Sequence, residues 1–221
     1  MAASPKKKRN LTVLISGSGT NLQALIDACG SPPLQNAQIT HVVSNKKDAY
    51  GLTRAQNAHI PTTYHNLVAG GYKKRHPENI SKAREEYDVD LAKLITENSL
   101  KPDLVVCAGW MHILSPRFIE LLTAADVPII NLHPALPGQF DGANAIGRAW
   151  EAYQKKEITG TGVMIHYVIS EVDRGEPVLT EEVDIGGCRT ESELEEKIHR
   201  LEWRLIVQGT AKALGKIEAG E

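Results

Sequence analysis

The fold is set by residues 11–29, which read LTVLISGSGTNLQALIDAC. Residues 11–16 form a short apolar run of the kind found in buried strands. Residues 16–21 make a glycine-containing turn, and residues 21–29 place their apolar side chains at helical spacing. A strand, a turn and a helix in this order predict the first unit of a parallel α/β sheet.

The alternation of strand and helix continues along the chain. Further strands are predicted at residues 39–44, 59–64, 104–109 and 129–133. Further helices are predicted at residues 49–58, 84–98, 116–123 and 145–155. Ser115 and Pro116 support the third of these helices as its N-cap and first helical residue.

The pattern changes after Gly160. Residues 161–169 and 177–183 are strand-like runs separated by a polar loop, which predicts an antiparallel pair. Residues 190–193, TESE, form a capping box that opens a long helix. We therefore predict an α/β fold with a Rossmann-like, mostly parallel twisted sheet and helices on both faces, followed by a smaller C-terminal mixed region with antiparallel strands and a long helix. In such sheets, ligands bind beyond the carboxyl ends of the strands.

The composition is that of an ordinary globular domain. The 221 residues suit one α/β domain, and the net charge of −2 gives no general attraction to nucleic acid or anionic membranes. No apolar run approaches the roughly 20 residues that span a bilayer. Cys29, Cys107 and Cys188 lie far apart and lack metal-ligand spacing, so we expect reduced thiols and no metal site. The basic run within residues 1–9 is interpreted as a solvated tail rather than a nuclear address.

The glycine-containing turn at residues 16–21, SGSGTN, has the composition of an anion site. Backbone N–H groups at a helix N-terminus bind phosphate, and glycines let the ligand approach closely. A dinucleotide site would need a glycine where Leu22 stands, and the Gly-Lys-Ser/Thr of a P-loop is absent. The turn therefore favours a monophosphate, and a tight turn without a ligand is the alternative.

Asn131 and His133 occupy alternate positions at the end of a predicted strand, so their side chains share one face near the expected crevice. A histidine there can act as an acid or base near neutral pH, and an asparagine amide can donate to a developing oxyanion. The acidic turn that contains Asp173 could supply a carboxylate that orients His133 and favours its charged form. On the residues alone, a structural histidine at a strand end is equally compatible.

Three motifs in this order resemble one family. Residues 108–115, AGWMHILS, residues 131–134, NLHP, and Asp173 downstream are similar to the formyltransferases that use 10-formyltetrahydrofolate. Residues 16–21 resemble the phosphate loop of the members whose acceptor is glycinamide ribonucleotide. The resemblance covers nearly the whole chain. It implies that 10-formyltetrahydrofolate is the co-substrate and that its formyl group passes directly to the ribonucleotide amine in purine (IMP) synthesis, through a tetrahedral intermediate.

The resemblance also implies roles for individual residues. The expected catalytic residues are Asn131, His133 and Asp173. The expected phosphate and ribose ligands are Gly19, Thr20, Asn21 and, on the long C-terminal helix, Glu202. The expected folate-binding residues are Arg84, Met111, His112, Ile113, Leu114 and Asn131, with residues 168–173 as the second wall of the pteridine pocket. His166 is a possible further site residue, with a structural strand histidine as the alternative.

Two segments depart from the family pattern. His112 stands where many relatives have arginine, which leaves open whether that side chain matters for folate affinity. Residues 134–138, PALPG, replace the commoner Pro-Ser-Leu-Leu-Pro, so the loop after His133 is expected to follow a different path.

The expected organisation is a basic flexible tail at residues 1–10 and a single formyltransferase domain at residues 11–221. Within that domain we expect a phosphate-binding half, residues 11–135, and a half with the folate loop and C-terminal helix, residues 136–221. We expect small-molecule substrates only, with no nucleic-acid or membrane partner, and a monomer or weak homodimer. The expected location is the cytoplasm, with the nucleus as the second possibility.

Three other functions compete with this hypothesis. A 10-formyltetrahydrofolate hydrolase, the main alternative, could use the same trio, but it typically carries an additional N-terminal domain and needs no phosphate loop. A methionyl-tRNA formyltransferase would be expected to have an additional C-terminal domain and a basic surface. A nicotinamide oxidoreductase would need the glycine that Leu22 replaces.

Overall fold

The computed structural model describes residues 7–220. The described strands are β1 (Arg9–Ile15), β2 (Ala37–Ser44), β3 (Thr62–Tyr64), β4 (Leu104–Cys107), β5 (Ile129–His133), β6 (Gly160–Tyr167) and β7 (Pro177–Asp184). The described helices are α1 (Thr20–Ala28), α2 (Tyr50–Asn57), α3 (Tyr72–Arg75), α4 (Ile80–Thr96), α5 (Pro116–Ala124), α6 (Ala145–Gln154) and α7 (Glu191–Ala219).

A seven-stranded sheet runs in the order β3-β2-β1-β4-β5-β6-β7. The first five strands pair in parallel, whereas β6 runs antiparallel to both β5 and β7. The strand order changes direction at β1, which has β2 on one side and β4 on the other, and ligand crevices form at such switch points. The predicted mixed α/β fold is confirmed.

Alternation along the strands builds one hydrophobic core on each face of the sheet. In β1, Val13 and Ile15 belong to the core under α1, α2, α6 and α7, whereas Leu14 belongs to the core under α3, α4 and α5. All three side chains are fully buried. Burying an aliphatic side chain of this size stabilises the fold by roughly 1.5–3 kcal/mol, so both faces of the sheet need a helical layer.

Several element boundaries differ from the predictions. Strand β1 begins at Arg9, within the predicted tail, because the Asp103 carboxylate accepts hydrogen bonds from Arg9 Nη1 at 2.9 Å and from the Asn10 N–H at 2.7 Å. Residues 1–6 of that tail lie outside the described residues. Helix α4 begins four residues early because Asn79 Oδ1 caps it by accepting from the Lys82 N–H at 2.9 Å. The short helix α3 was not predicted.

Helix α7 is the longest element, and it packs along β6 and β7. Thr190 caps it as predicted: its Oγ1 accepts from the Glu193 N–H, and the Glu193 carboxylate accepts from the N–H of Arg189, one residue before the N-cap. Gly209 allows the helix to approach the sheet, since a Cβ there would lie 2.8 Å from the Ile165 side chain. No helix within residues 7–220 is long and apolar enough to cross a membrane.

Alanine substitutions at two glycines of α7 should change the free energy of unfolding in opposite directions. We expect Gly209→Ala to lower the free energy of unfolding by about 1–2 kcal/mol, because overpacking outweighs the helix-propensity gain. A Cβ at Gly215 meets no atom within 4 Å, so Gly215→Ala should raise the free energy of unfolding by about 0.5–1 kcal/mol. Urea unfolding measures both changes, and equal effects at the two positions would contradict the close packing of α7 on β6.

Candidate active site

A cavity of about 410 Å³ opens beyond the end of β4 and over one face of β5 and β6. Its walls are residues 109–114 after β4, residues 168–173 after β6 and residues 142–145 at the start of α6. Asn131 and His133 line it together. A cleft of this size suits a small-molecule ligand, and it lies where the strand order predicts one.

Strand β5 aims two predicted site residues into this cavity. Ile130 and Leu132 belong to the core on the opposite face, so alternation turns Asn131 and His133 toward the cavity, as the sequence predicted. Antiparallel pairing with β6 places His166 directly opposite Asn131. His166 therefore joins the cluster.

The Asp173 carboxylate lies at the centre of the cluster. Its Oδ1 is 3.3 Å from both Asn131 Nδ2 and His166 Nε2, and its Oδ2 is 3.3 Å from His133 Nδ1. The Gly142 N–H also donates to Oδ2, at 2.8 Å. The predicted trio thus meets around one carboxylate, and the structure adds His166 and a backbone amide to it. Asp173 itself adopts a left-handed backbone conformation, with φ of 56°.

His166 and Asn131 both contact the Asp173 carboxylate. His166 Nδ1 lies 2.8 Å from the Tyr167 carbonyl oxygen, so it donates there, and Nε2 lies 3.3 Å from Asp173 Oδ1 and 3.2 Å from Asn131 Nδ2. The Asn131 amide directs a hydrogen at Asp173 Oδ1. A bound oxyanion would have to compete with this carboxylate for that hydrogen.

Burial and charge act in opposite directions on His133. Burial of the imidazole lowers its pKa, and this effect outweighs the Asp173 carboxylate, which raises it. Asp173 therefore favours the charged form of His133, and burial opposes it with the larger effect. The pKa of Asp173 is lowered, because hydrogen bonds from His166 and the Gly142 N–H, together with the charge of His133, outweigh the opposing effect of burial.

The glycine turn lies beside the cavity. Gly19 is the N-cap of α1 with φ of 70°, and no side chain caps the first turn of that helix, which leaves its N–H groups available to an anion. Asn21 Nδ2 donates to Glu202 Oε2 at 3.1 Å, and Glu202 lines the cavity. Gly19 and Thr20 themselves do not line it. Burial raises the pKa of Glu202, and the Asn21 hydrogen bond opposes that shift.

The predicted folate residues fall into three groups. Met111 and Ile113 line the cavity with side chains that are largely exposed, 70% for Met111, and Leu114 is buried in its wall. His112 turns toward the protein, where its Nε2 lies 2.8 Å from Oδ1 of the fully buried Asp88. Arg84 is exposed on α4 and does not line the cavity.

Three contacts were not foreseen from the sequence. Asp88 Oδ2 also accepts from the Ser115 N–H at 2.7 Å, so one carboxylate ties both ends of segment 112–115. Ser16 Oγ accepts from the Met111 N–H at 2.8 Å, which joins the glycine turn to the same wall. Arg54 Nε donates to the Ser18 carbonyl at 2.9 Å and places a cation beside that turn. All three residues are distant in sequence from their partners, and no local pattern indicates the pairing.

The fold is an α/β fold, and the site is a carboxylate-centred cluster of two histidines and an asparagine beside a glycine-containing turn. The chain belongs to the formyl transferase family, whose model matches residues 9–210. It is 52% identical over 200 residues to the phosphoribosylglycinamide formyltransferase of Schizosaccharomyces pombe, across 90% of this chain and 94% of that protein. The Saccharomyces cerevisiae enzyme of the same name is 46% identical, across 94% and 98%.

A solved structure supports the same assignment. The crystal structure of phosphoribosylglycinamide formyltransferase from Campylobacter jejuni superposes on this chain with a TM-score of 0.77 and 30% sequence identity. The superposition covers 93% of this chain and 97% of that one.

The pKa of His133, on which burial and Asp173 act in opposite directions, can be measured by following its imidazole protons by NMR as a function of pH. We expect a pKa below the ordinary histidine value, because burial dominates. Asp173→Asn should lower it further, since the carboxylate is what opposes burial. The low pKa also means that protonation of His133 destabilises the fold as pH falls through that pKa. A higher pKa in Asp173→Asn would contradict this account.

The pairing of His112 with buried Asp88 predicts a large stability effect. His112→Ala should lower the free energy of unfolding by about 3 kcal/mol, because it removes the side-chain partner of the buried Asp88 carboxylate and leaves it the Ser115 N–H. The matched control is His199→Ala, which removes an exposed histidine 3.9 Å from Glu195 and should change stability by less than about 0.5 kcal/mol. Chemical denaturation compares the two variants, and similar losses would refute a special role for the Asp88 contact.

Proposed function

We propose that this chain transfers the formyl group of 10-formyltetrahydrofolate to the amine of glycinamide ribonucleotide, with Asn131, His133 and Asp173 as the catalytic residues. The observation that carries the proposal is the meeting of these three side chains in one cavity, next to a turn suited to phosphate. The family membership and the similarity to phosphoribosylglycinamide formyltransferases over most of the chain support the same reaction.

The chemistry is a direct acyl transfer. The amine nitrogen attacks the formyl carbon, and the carbonyl electron pair moves to oxygen to form an anionic tetrahedral intermediate. A proton passes from the attacking nitrogen to N10 of the folate. The oxyanion electron pair then re-forms the carbonyl, and the bond between the formyl carbon and N10 breaks with its electron pair leaving on N10. The products are the formylated ribonucleotide and tetrahydrofolate, and no covalent formyl-enzyme forms.

His133 and Asp173 would manage charge and protons in this sequence. Negative charge that develops near His133 raises the pKa of its imidazole, so the ring takes up a proton from solvent water as the intermediate forms and returns it to solvent when the carbonyl re-forms. Its Nδ1 then donates to Asp173, while its Nε2, which makes only a 3.4 Å contact with the Gln139 carbonyl, is available to the oxyanion. Asp173 would also orient a water that carries the proton between the two nitrogens.

Substrate anchoring would come from the glycine turn and from two walls of the cavity. Gly19, Thr20 and Asn21 would bind the phosphate at the N-terminus of α1, with Arg54 close by, and Glu202 would bind the ribose hydroxyls. Fixing the phosphate holds the amine against the formyl carbon and makes the reaction effectively unimolecular.

The folate would lie between the two other walls of the cavity. Met111, His112, Ile113 and Leu114 form one wall, and residues 168–173 form the other. The backbone of segment 111–114 would face the pteridine, since the His112 side chain is engaged by Asp88. Arg84 would meet the glutamate tail outside the cavity.

The wider properties of the protein follow the same proposal. Residues 11–221 would act as one domain, and β5 and β6 pair across the boundary between residues 135 and 136. We expect small-molecule substrates, a monomer or weak homodimer and a cytoplasmic location. The free thiols of Cys29, Cys107 and Cys188 fit a reducing compartment.

The test is a spectrophotometric assay of folate product, with and without glycinamide ribonucleotide. Product formation that depends on the ribonucleotide supports the transferase, and formate release without it supports the hydrolase. We expect His133→Ala to lower kcat about 10²- to 10³-fold with little change in ligand dissociation constants, since His133 would act in the transition state. The control is His59→Asn, an exposed histidine with positive φ that asparagine tolerates. Wild-type turnover in His133→Ala would rule out the assignment.

A further inference from the structure

The loop between β5 and α6 is held in an uncommon conformation. Between Gly138 and Asn144 four residues have positive φ, and two of them, Phe140 and Asn144, are not glycine. Non-glycine residues in this region are rare and persist where surrounding contacts hold them, often at functional sites. This is the segment that follows the departure from the family pattern at residues 134–138.

The loop also buries polar side-chain atoms that make no hydrogen bond. Among residues 7–220, the buried side-chain atoms without a hydrogen-bond partner include Gln139 Oε1 and Asp141 Oδ1 in the loop and Arg148 Nε on α6 next to it. Buried polar groups are normally satisfied, so the loop is not in this conformation for the sake of its own hydrogen bonds. Contacts from other elements must hold it there.

Two arginines provide those contacts. Arg148 on α6 donates through Nη2 to the carbonyls of Phe140 and Asp141, the latter at 2.7 Å. Arg174 donates through Nε to Asp141 Oδ2 at 2.6 Å, and its Nη2 lies 2.6 Å from the same oxygen. One arginine thus fixes the loop backbone, and the other fixes the side chain of Asp141.

The two cross-links stand next to each other in the chain. Asp141 precedes Gly142, whose N–H makes the shortest contact of the Asp173 carboxylate, and Arg174 directly follows Asp173. Residues 141–142 therefore contact residues 173–174 twice, through the Asp141–Arg174 ion pair and the Gly142–Asp173 hydrogen bond. If the ion pair is lost, the amide that orients Asp173 loses one of its supports.

We propose that Arg174 and Arg148 are positioning residues, which act through the 138–144 loop to keep the Gly142 N–H on Asp173 and thereby orient Asp173 toward His133. This inference rests on the proposed formyl transfer for its kinetic consequence. The Arg174–Asp141 pair is half-exposed, at 54% and 29%, and exposed pairs of this kind contribute little to stability. Its loss should therefore affect turnover rather than folding.

The experiment compares Arg174→Met, Arg174→Lys, Asp141→Asn and the double variant Arg174→Met/Asp141→Asn with wild type. We expect Arg174→Met to lower kcat about tenfold with KM for both substrates changed less than about threefold, since a small displacement of a catalytic group affects the transition state most. Asp141→Asn and the double variant should match it, because both remove the same interaction. Arg174→Lys, which keeps the charge, should recover most of the loss.

The matched control is Arg117→Met. Arg117 pairs with Glu120 at 2.9 Å with exposures of 52% and 62%, and it lies on α5 away from the loop, so kcat should not change. Amide hydrogen exchange at Gly142 gives a readout independent of activity, and it should be about tenfold faster in Arg174→Met than in wild type.

Two results would overturn the inference. Wild-type kcat in Arg174→Met, or unchanged exchange at Gly142, would mean that the ion pair does not position Asp173. Absence of ribonucleotide-dependent turnover in wild type would instead overturn the proposed function. The exchange measurement would still decide whether Arg174 holds the loop.

Discussion

The site depends on a nearly buried carboxylate, that of Asp173. A charge removed from water is costly unless hydrogen-bond donors replace the water, and here the donors come from three different elements. Strand β5 supplies Asn131 and His133, β6 supplies His166, and the loop before α6 supplies the Gly142 N–H. The carboxylate therefore requires these elements to meet in one arrangement, and that arrangement is the one on which the proposed chemistry rests.

The direction of β6 makes this meeting possible. Because β6 runs antiparallel to β5, the loop that follows it starts beside the beginning of β5, where the Val168 N–H donates to the Ile129 carbonyl. From there residues 168–173 can fold across the face that carries Asn131 and His133. A further parallel strand would have required a crossover and would have carried the loop to the other end of the sheet. The antiparallel direction of β6 thus sets the path by which Asp173 reaches the cluster.

The strengths and failures of sequence interpretation have separate physical causes. The strands and helices that pack directly on the cores were predicted near their observed positions, because their apolar spacing follows from burial on known faces. The errors fall where a contact with a residue distant in sequence determines the local structure. Asp103 extends β1 to Arg9, within the predicted tail. The lowered pKa of His133 has a related cause, since the cost of burial does not depend on its sequence neighbours and outweighs the attraction of Asp173.

The sequence alone determined the α/β class, the anion-binding composition of the glycine turn and the shared face of Asn131 and His133. These features depend on local periodicity and on the conformations open to each residue type. Only the tertiary structure decided that Asp173 faces His133 and that His166 and Gly142 complete its shell. Only the tertiary structure, too, brings Asn21 to Glu202, so that a hydrogen bond forms across 181 positions of the chain. Such contacts arise when separate elements pack, and the spacing of residues along a chain does not encode which loops will meet.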